Sequence, residues 1–270
     1  MSLKLTLQGG LIYLTGLFFL ATALLLPLAR KAGRDGSFPG HMAGGCWIAG
    51  FLAALASVVW RGLHTGHPPM QNLFEFFLCM IAALVPLSYW NRWQHGLDTR
   101  FQDAVLGCVI LFPAGFIFSE EVHRLPPALQ SPLFVPHVGA YVAGYVMMAR
   151  AALMALPLFR SAFPRGDLPA KDRAIRQSVA IGFPLITLGL LLGSIWGKIC
   201  WGHYWQWDPK EMWSLATWFV YAAYFHYRLR DGLRHPKIQA ALLWTGLLFI
   251  VLTLTWINLS RIFSGMHTYA

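Results

Sequence analysis

Charge is what this 270-residue chain has least of: 12% of its residues are Asp, Glu, Lys or Arg, against roughly 25% in an ordinary soluble domain. A globular domain of this length would need a charged surface to stay dispersed, so most soluble classes are excluded. Disorder is excluded as well, because it requires low hydrophobicity, and 57% of this chain is hydrophobic. Acidic residues are scarcer than basic ones, 11 against 21, for a formal charge of +10. In a soluble chain that excess would suggest nucleic acid; here it raises the question of whether the basic residues are sorted by side of a membrane. Cysteine is also scarce. Cys46, Cys79, Cys108 and Cys200 are widely spaced, no pair has metal-ligand or redox spacing, and no Cys-x-x-Cys-His attachment site exists, so each reads as a small packing residue. No internal repeat, low-complexity tract or soluble domain interrupts the chain, which reads as one integral membrane domain over residues 1–270.

What is present is a series of long apolar runs. A transmembrane helix needs about 20 mostly apolar residues, and eight segments meet or approach this: about 9–29, 43–60, 71–90, 104–118, 137–159, 178–197, 211–229 and 238–258. The fourth is short. The first is too long for a cleaved signal peptide, has only Lys4 before it and shows no cleavage site. The expected fold is an all-α polytopic membrane protein of about eight transmembrane helices. Orientation follows from loop Lys and Arg. The loops after the first, third, fifth and seventh spans hold 14 of them: Arg30, Lys31, Arg34, Arg92, Arg100, Arg160, Arg165, Lys171, Arg173, Arg176, Arg228, Arg230, Arg234 and Lys237. The opposite side holds six: Lys4, Arg61, Arg124, Lys198, Lys210 and Arg261. This asymmetry predicts both termini on the non-cytoplasmic side.

The most distinctive stretch is 196–213, WGKICWGHYWQWDPKEMW, with five of the chain's 12 tryptophans. An aromatic belt at the headgroup level is one reading, but a belt needs only one or two residues per helix end. A platform for a large flat apolar ligand is the other; Trp201 and Trp205 would share a face if the loop were helical, and Trp207 would extend it. Asp208-Pro209-Lys210-Glu211 reads as the N-cap and first turn of the seventh helix, with Pro at its favoured position and a capping box closed by Glu211. Asn72-Leu73-Phe74-Glu75 makes the same signal for the third helix. These carboxylates therefore read as helix starters, while a helix N-terminus also favours anions, which the ligand could carry.

Of the ten histidines, His41, His95 and His235 fall in cytoplasmic loops, and His64, His67 and His123 in outer loops without ligand-like neighbours. His203 sits within the tryptophan stretch. His137 opens the fifth span and His267 follows the eighth, so both lie at the level of that stretch and flank it in sequence. Two imidazoles so placed are either polar caps or axial ligands of one haem iron. His226 is inside the seventh span: fifteen residues from Glu211 put it roughly 22 Å inward. An ionisable group at that depth is functional by default, unless it snorkels to the inner interface. Arg150 in the fifth span either pairs with an anionic group or marks that helix's inner end.

Residues 201–213 closely resemble the signature of the WWD-domain, haem-handling cytochrome c assembly proteins, and most of all the CcsA (ResC) members of the System II pathway. The resemblance extends to Gly66-His67-Pro68-Pro69, to Asn72-Leu73-Phe74-Glu75, to a late histidine in the helix after the signature, and to Gly265-Met266-His267-Thr268-Tyr269. It implies that haem b is ligand and substrate, passing from the cytoplasmic side through a transmembrane site at His226 to an outer site. There His137 and His267 would hold the iron beneath Trp201, Trp205, Trp207 and Asp208. It further implies a CcsB (ResB)-like membrane partner, an apocytochrome c carrying Cys-x-x-Cys-His, residence in the inner (plasma) membrane with the WWD loop on the periplasmic or outer face, and no role for nucleic acid. The expected function is haem export and covalent attachment by a cytochrome c synthase (haem lyase) complex. Two alternatives stand beside it: a CcmC-like haem carrier without synthase activity, and a membrane di-haem electron carrier. Arg61, Arg124, Lys198 and Lys210 lie at the expected face to hold propionates.

Overall fold

The computed structural model describes residues 4–31, 38–159, 168–232 and 234–256, with the side chains of 168–170 and Trp256 outside the description. Among the described residues the chain is helical without strands. Eight α-helices follow one another: α1 (Leu7–Lys31), α2 (Phe38–Thr65), α3 (Leu73–His95), α4 (Arg100–Phe116), α5 (Phe134–Ala155), α6 (Leu168–Trp201), α7 (Pro209–Asp231) and α8 (Pro236–Val251). They group into two compact units, Met1–Leu125 and Pro126–Ala270.

Six of the eight are long and apolar enough to cross a membrane; α4 and α7 are not among them. α4 has 17 residues, about 25 Å at 1.5 Å per residue, which is short of a 30 Å hydrocarbon core. α7 is long enough, with 23 residues, but it carries Ser214, Thr217, His226 and a basic last turn among its apolar residues, so its composition fails where its length does not.

In the first unit α1 packs on α2 and α4, and α3 on the same two helices. The contact is possible because two glycines leave room for one ring. Phe19 of α1 is fully buried, and a Cβ on Gly50 of α2 or Gly107 of α4 would lie 2.7 or 2.3 Å from its ring. Hydroxyls inside the bundle bond their own helix: Thr15 and Thr22 each donate to the carbonyl four residues back, at 2.8 Å. With little water at such depth, a polar group must find its partner within the protein.

At one end of this unit α3 starts as its sequence predicts, with the Asn72 side chain accepting from the Glu75 N–H at 3.0 Å. The Glu75 carboxylate accepts from the Gln71 N–H at 2.9 Å and from Arg61 Nε at 2.9 Å. Arg61 is 3% exposed, and its other nitrogens donate to the Glu120 and Glu121 carbonyls. Phe74 packs against the Arg61 guanidinium and the Lys4 ammonium, 5.3 and 4.3 Å from its centroid.

In the second unit α5 packs on α6 and α8, and α7 packs on α6 and α8. Tyr221 of α7 is fully buried and seats over Gly246 of α8, where a Cβ would lie 2.5 Å from its Cζ. Trp218 Nε1 donates to Thr187 Oγ1 at 2.9 Å, joining α7 to α6. Arg228 closes the opposite end through an ion pair with Asp172 of α6.

Candidate functional site

The site is assembled from the start of α5, the end of α6 and the segment leading into α7, all within the second unit. A row of glycines on α6 brings the first two helices close. Cβ atoms on Gly182, Gly189 and Gly193 would lie 3.1 Å from Met147 Cβ, 2.9 Å from the Tyr141 ring and 2.6 Å from the His137 ring. Small residues at helical spacing let backbones approach in a membrane; here they admit an imidazole and a phenol. Gly189-Leu-Leu-Leu-Gly193-Ser-Ile-Trp-Gly197 repeats glycine every fourth residue. That pattern was the available signal for Gly193, which the histidine and tryptophan motifs alone did not bring out.

The backbone carbonyl of Gly189 lies 2.9 Å from His137 Nδ1. A carbonyl can only accept, so the bond places the proton on Nδ1 and the lone pair on Nε2. This is the tautomer and orienting contact typical of a metal-ligating histidine. The half-buried ring is met edge-on by Tyr141 and Trp196, at 5.2 and 5.3 Å between centroids. Trp196 is 4% exposed, donates from Nε1 to the Ala128 carbonyl at 3.0 Å, and stacks on Trp201 at 6.4 Å. His137 and Trp201, far apart in sequence, thus join through Trp196 in one aromatic wall.

The tryptophan stretch is not one helix. α6 ends at Trp201, and Gly202 adopts the left-handed conformation with φ of 83°, which glycine takes without a Cβ clash. Trp205 and Trp207 lie beyond it in non-helical chain and meet edge-to-face, 5.9 Å and 88° apart. The shared helical face expected of Trp201 and Trp205 therefore does not form, because Gly202 breaks the periodicity between them. Trp207 has φ of 57° and is 67% exposed. Left-handed backbone costs a side-chain-bearing residue about 1–2 kcal/mol, so something else must hold it.

The holder is the start of α7. Asp208 caps the helix, its Oδ1 accepting from the Lys210 N–H at 3.0 Å, and the capping box with Glu211 is complete. Within that box Glu211 Oε2 accepts from the Asp208 N–H at 3.1 Å, and it accepts one further bond, from the Gln206 N–H at 2.8 Å. Successive N–H groups turned inward around a left-handed residue make an anion-binding concavity. Here the chain's own carboxylate fills it.

The other predicted residues are placed separately. His226 is exposed on α7. His267 lies outside the described residues. Arg150 is fully buried in α5, with Nη1 3.1 Å from Met147 Sδ. Of the four propionate candidates, Arg61 is engaged with Glu75, and Lys198 Nζ donates to the Gly202 carbonyl at 2.7 Å. Arg124 is exposed in the first unit, and Lys210 sits in the first turn of α7. Among the described residues no three His, Cys, Asp or Glu side chains gather as a metal-ion cage.

A family model described as Cytochrome C assembly protein matches residues 70–267. The chain belongs to that family. It is similar to curated proteins named cytochrome c biogenesis protein CcsA. The protein from Chlamydomonas reinhardtii is 31% identical over 81% of this chain and 65% of its own length. That from Synechococcus sp. (strain CC9902) is 29% identical over 94% of this chain and 96% of its own. That from Parasynechococcus marenigrum (strain WH8102) is 30% identical, covering 93% of each chain. With six helices able to span a bilayer, this member of the family is an integral membrane protein, and α3 to α8 fall within the matched region.

Proposed function

We propose that this protein binds haem as its substrate and presents it, with a CcsB-like partner, for covalent attachment to an apocytochrome c outside the cytoplasm. The single observation that carries the reading is His137: its proton is held at Nδ1 by the Gly189 carbonyl, so its Nε2 lone pair suits an iron, inside a wall of Tyr141, Trp196 and Trp201. The aromatic faces match a large flat ligand. Family membership supports a role in cytochrome c assembly, and haem is the group such an assembly must handle.

In this reading His137 and His267 hold the iron from its two sides, and the tryptophan loop, on the outer face, covers the ring edge. The histidine of an incoming Cys-x-x-Cys-His segment replaces one of them. Each cysteine S–H then adds across a vinyl double bond: sulfur bonds one vinyl carbon, the proton ends on the other, and no net oxidant or reductant is consumed. The protein's contribution is largely positional, because holding thiol and vinyl in attack geometry converts an encounter between molecules into a reaction within one complex. His226, exposed on α7, would give haem an earlier station, facing away from this chain and toward the partner.

The test is to purify His137→Ala and His267→Ala with the partner and record the bound-haem absorption spectrum and cytochrome yield. Both variants should lose the low-spin bis-histidine spectrum, with exogenous imidazole restoring part of it. Wild-type spectra and yield in both would overturn the outer-site assignment.

A further inference from the structure

Trp207 presents an unusual combination: a bulky residue in left-handed backbone, φ 57°, whose ring is mostly exposed and meets Trp205 edge-on. Left-handed non-glycine residues persist only where their surroundings over-determine them, and they cluster at ligand clamps. The over-determination is visible: Glu211 Oε2 receives the N–H groups of Gln206 and Asp208, one on each side of Trp207. The Asp208 bond belongs to the capping box. The Gln206 bond does not, since helix initiation makes no use of a backbone N–H two residues before the cap.

We propose that Glu211 is a positioning residue of the aromatic loop, holding Trp207 outward in a preset conformation for the flat ligand. Resting on the haem reading, this adds to it which group sets the loop's geometry. Glu211 need not touch the ligand; it acts through the backbone of 206–208. Pre-setting matters because a loop already in its bound shape loses less freedom on binding.

The discriminating variant is Glu211→Asp. It keeps a negative charge in the first helical turn, where the helix dipole favours it, but it is one methylene shorter and cannot span to Gln206. If Glu211 only starts α7, Asp should serve. The full chain labelled with 5-fluorotryptophan in detergent gives a readout that needs no haem, with the Trp207 resonance assigned by its loss in Trp207→Phe. In Glu211→Asp and Glu211→Ala that resonance should shift or split and its solvent-isotope shift should change; an unaltered Trp207 signal in both overturns the proposal. Haem titration supplies the second arm. Glu211→Asp and Trp207→Gly should each weaken binding about tenfold, and the double variant no further, because the two act through one element. Additive losses overturn the coupling. A wild-type chain that takes no haem overturns the haem reading, and the resonance then decides the positioning by itself.

Discussion

α3 and α7 both begin on a short side-chain cap followed three residues later by a glutamate, Asn72 with Glu75 and Asp208 with Glu211. In the first unit the Glu75 carboxylate is buried, reaches back to the Gln71 N–H and takes Arg61 as counter-ion. Arg61 in turn closes the Glu120 and Glu121 carbonyls, and Phe74 packs against it. In the second unit, no arginine among the described residues pairs with Glu211. Its oxygen takes the N–H groups either side of Trp207, and the ring between them turns outward. One helix-start signal therefore ends one unit as a closed knot and opens the other as an aromatic surface. What differs is the identity of the neighbour that claims the carboxylate's second set of lone pairs.

The largest effect should come from cutting the knot. Arg61→Ala leaves Glu75 as a buried charge with its partner gone, and breaking such a pair costs about 3–5 kcal/mol. Thermal unfolding in detergent should show a large loss for Arg61→Ala and a smaller one for Arg61→Ala with Glu75→Gln, which removes the stranded charge. Next comes Gly193→Ala. Its Cβ would lie 2.6 Å from the His137 ring, so α5 must shift or the imidazole must leave its Gly189 bond. Overpacking of this kind costs about 1–3 kcal/mol, and the variant's haem spectrum should change even where it still folds.

Glu211→Ala should destabilise by about 1 kcal/mol, the usual scale of a lost cap, and less in a Trp207→Gly background, because glycine takes left-handed backbone without penalty. Equal losses in both backgrounds would separate the cap from the tryptophan. The smallest effect is in pH. Burial alone would push the Asp98 carboxyl up, but the Arg100 side chain bonds it at 2.6 Å and, with Arg92 nearby, draws it below its ordinary 3.8. A carboxyl lowered by folding stabilises above its unfolded value and loses that contribution as pH falls through the lower folded one. In acid unfolding, the stability advantage of the wild type over Asp98→Asn should therefore begin to shrink as pH falls through about 3.8 and vanish only below the lower folded value; a difference that does not shrink on acidification would contradict the pairing.

How much of this was legible beforehand depends on the range of the interaction. The helix-start signals at Asn72–Glu75 and Asp208–Glu211 were readable because a cap is satisfied within four residues of itself. The all-helical fold was readable because bilayer-length apolar runs leave the backbone no other economical way to satisfy itself. The spanning status of α4 and α7 was less so, since one is a turn short and the other dilutes its apolar face with polar residues. Tryptophans 201 and 205 looked like neighbours on one face because periodicity carries no sign of a terminating Gly202. Arg61, placed by its side of the membrane among possible anion-binding groups, is instead consumed within the protein.

The sequence alone determined the class of molecule and the order of its helices and singled out the residues proposed for the site, because hydropathy, capping and an unusual tryptophan run are local properties of the chain. Tertiary structure decided how those residues are held. The His137 tautomer depends on a carbonyl 52 positions away on α6, and its ring fits there only because Gly193 has no Cβ. The carboxylates of Glu75 and Glu211 act differently because folding brings Arg61 to the first, while the second takes the backbone N–H groups on either side of Trp207. Such contacts depend on the distance between side chains that only packing brings together.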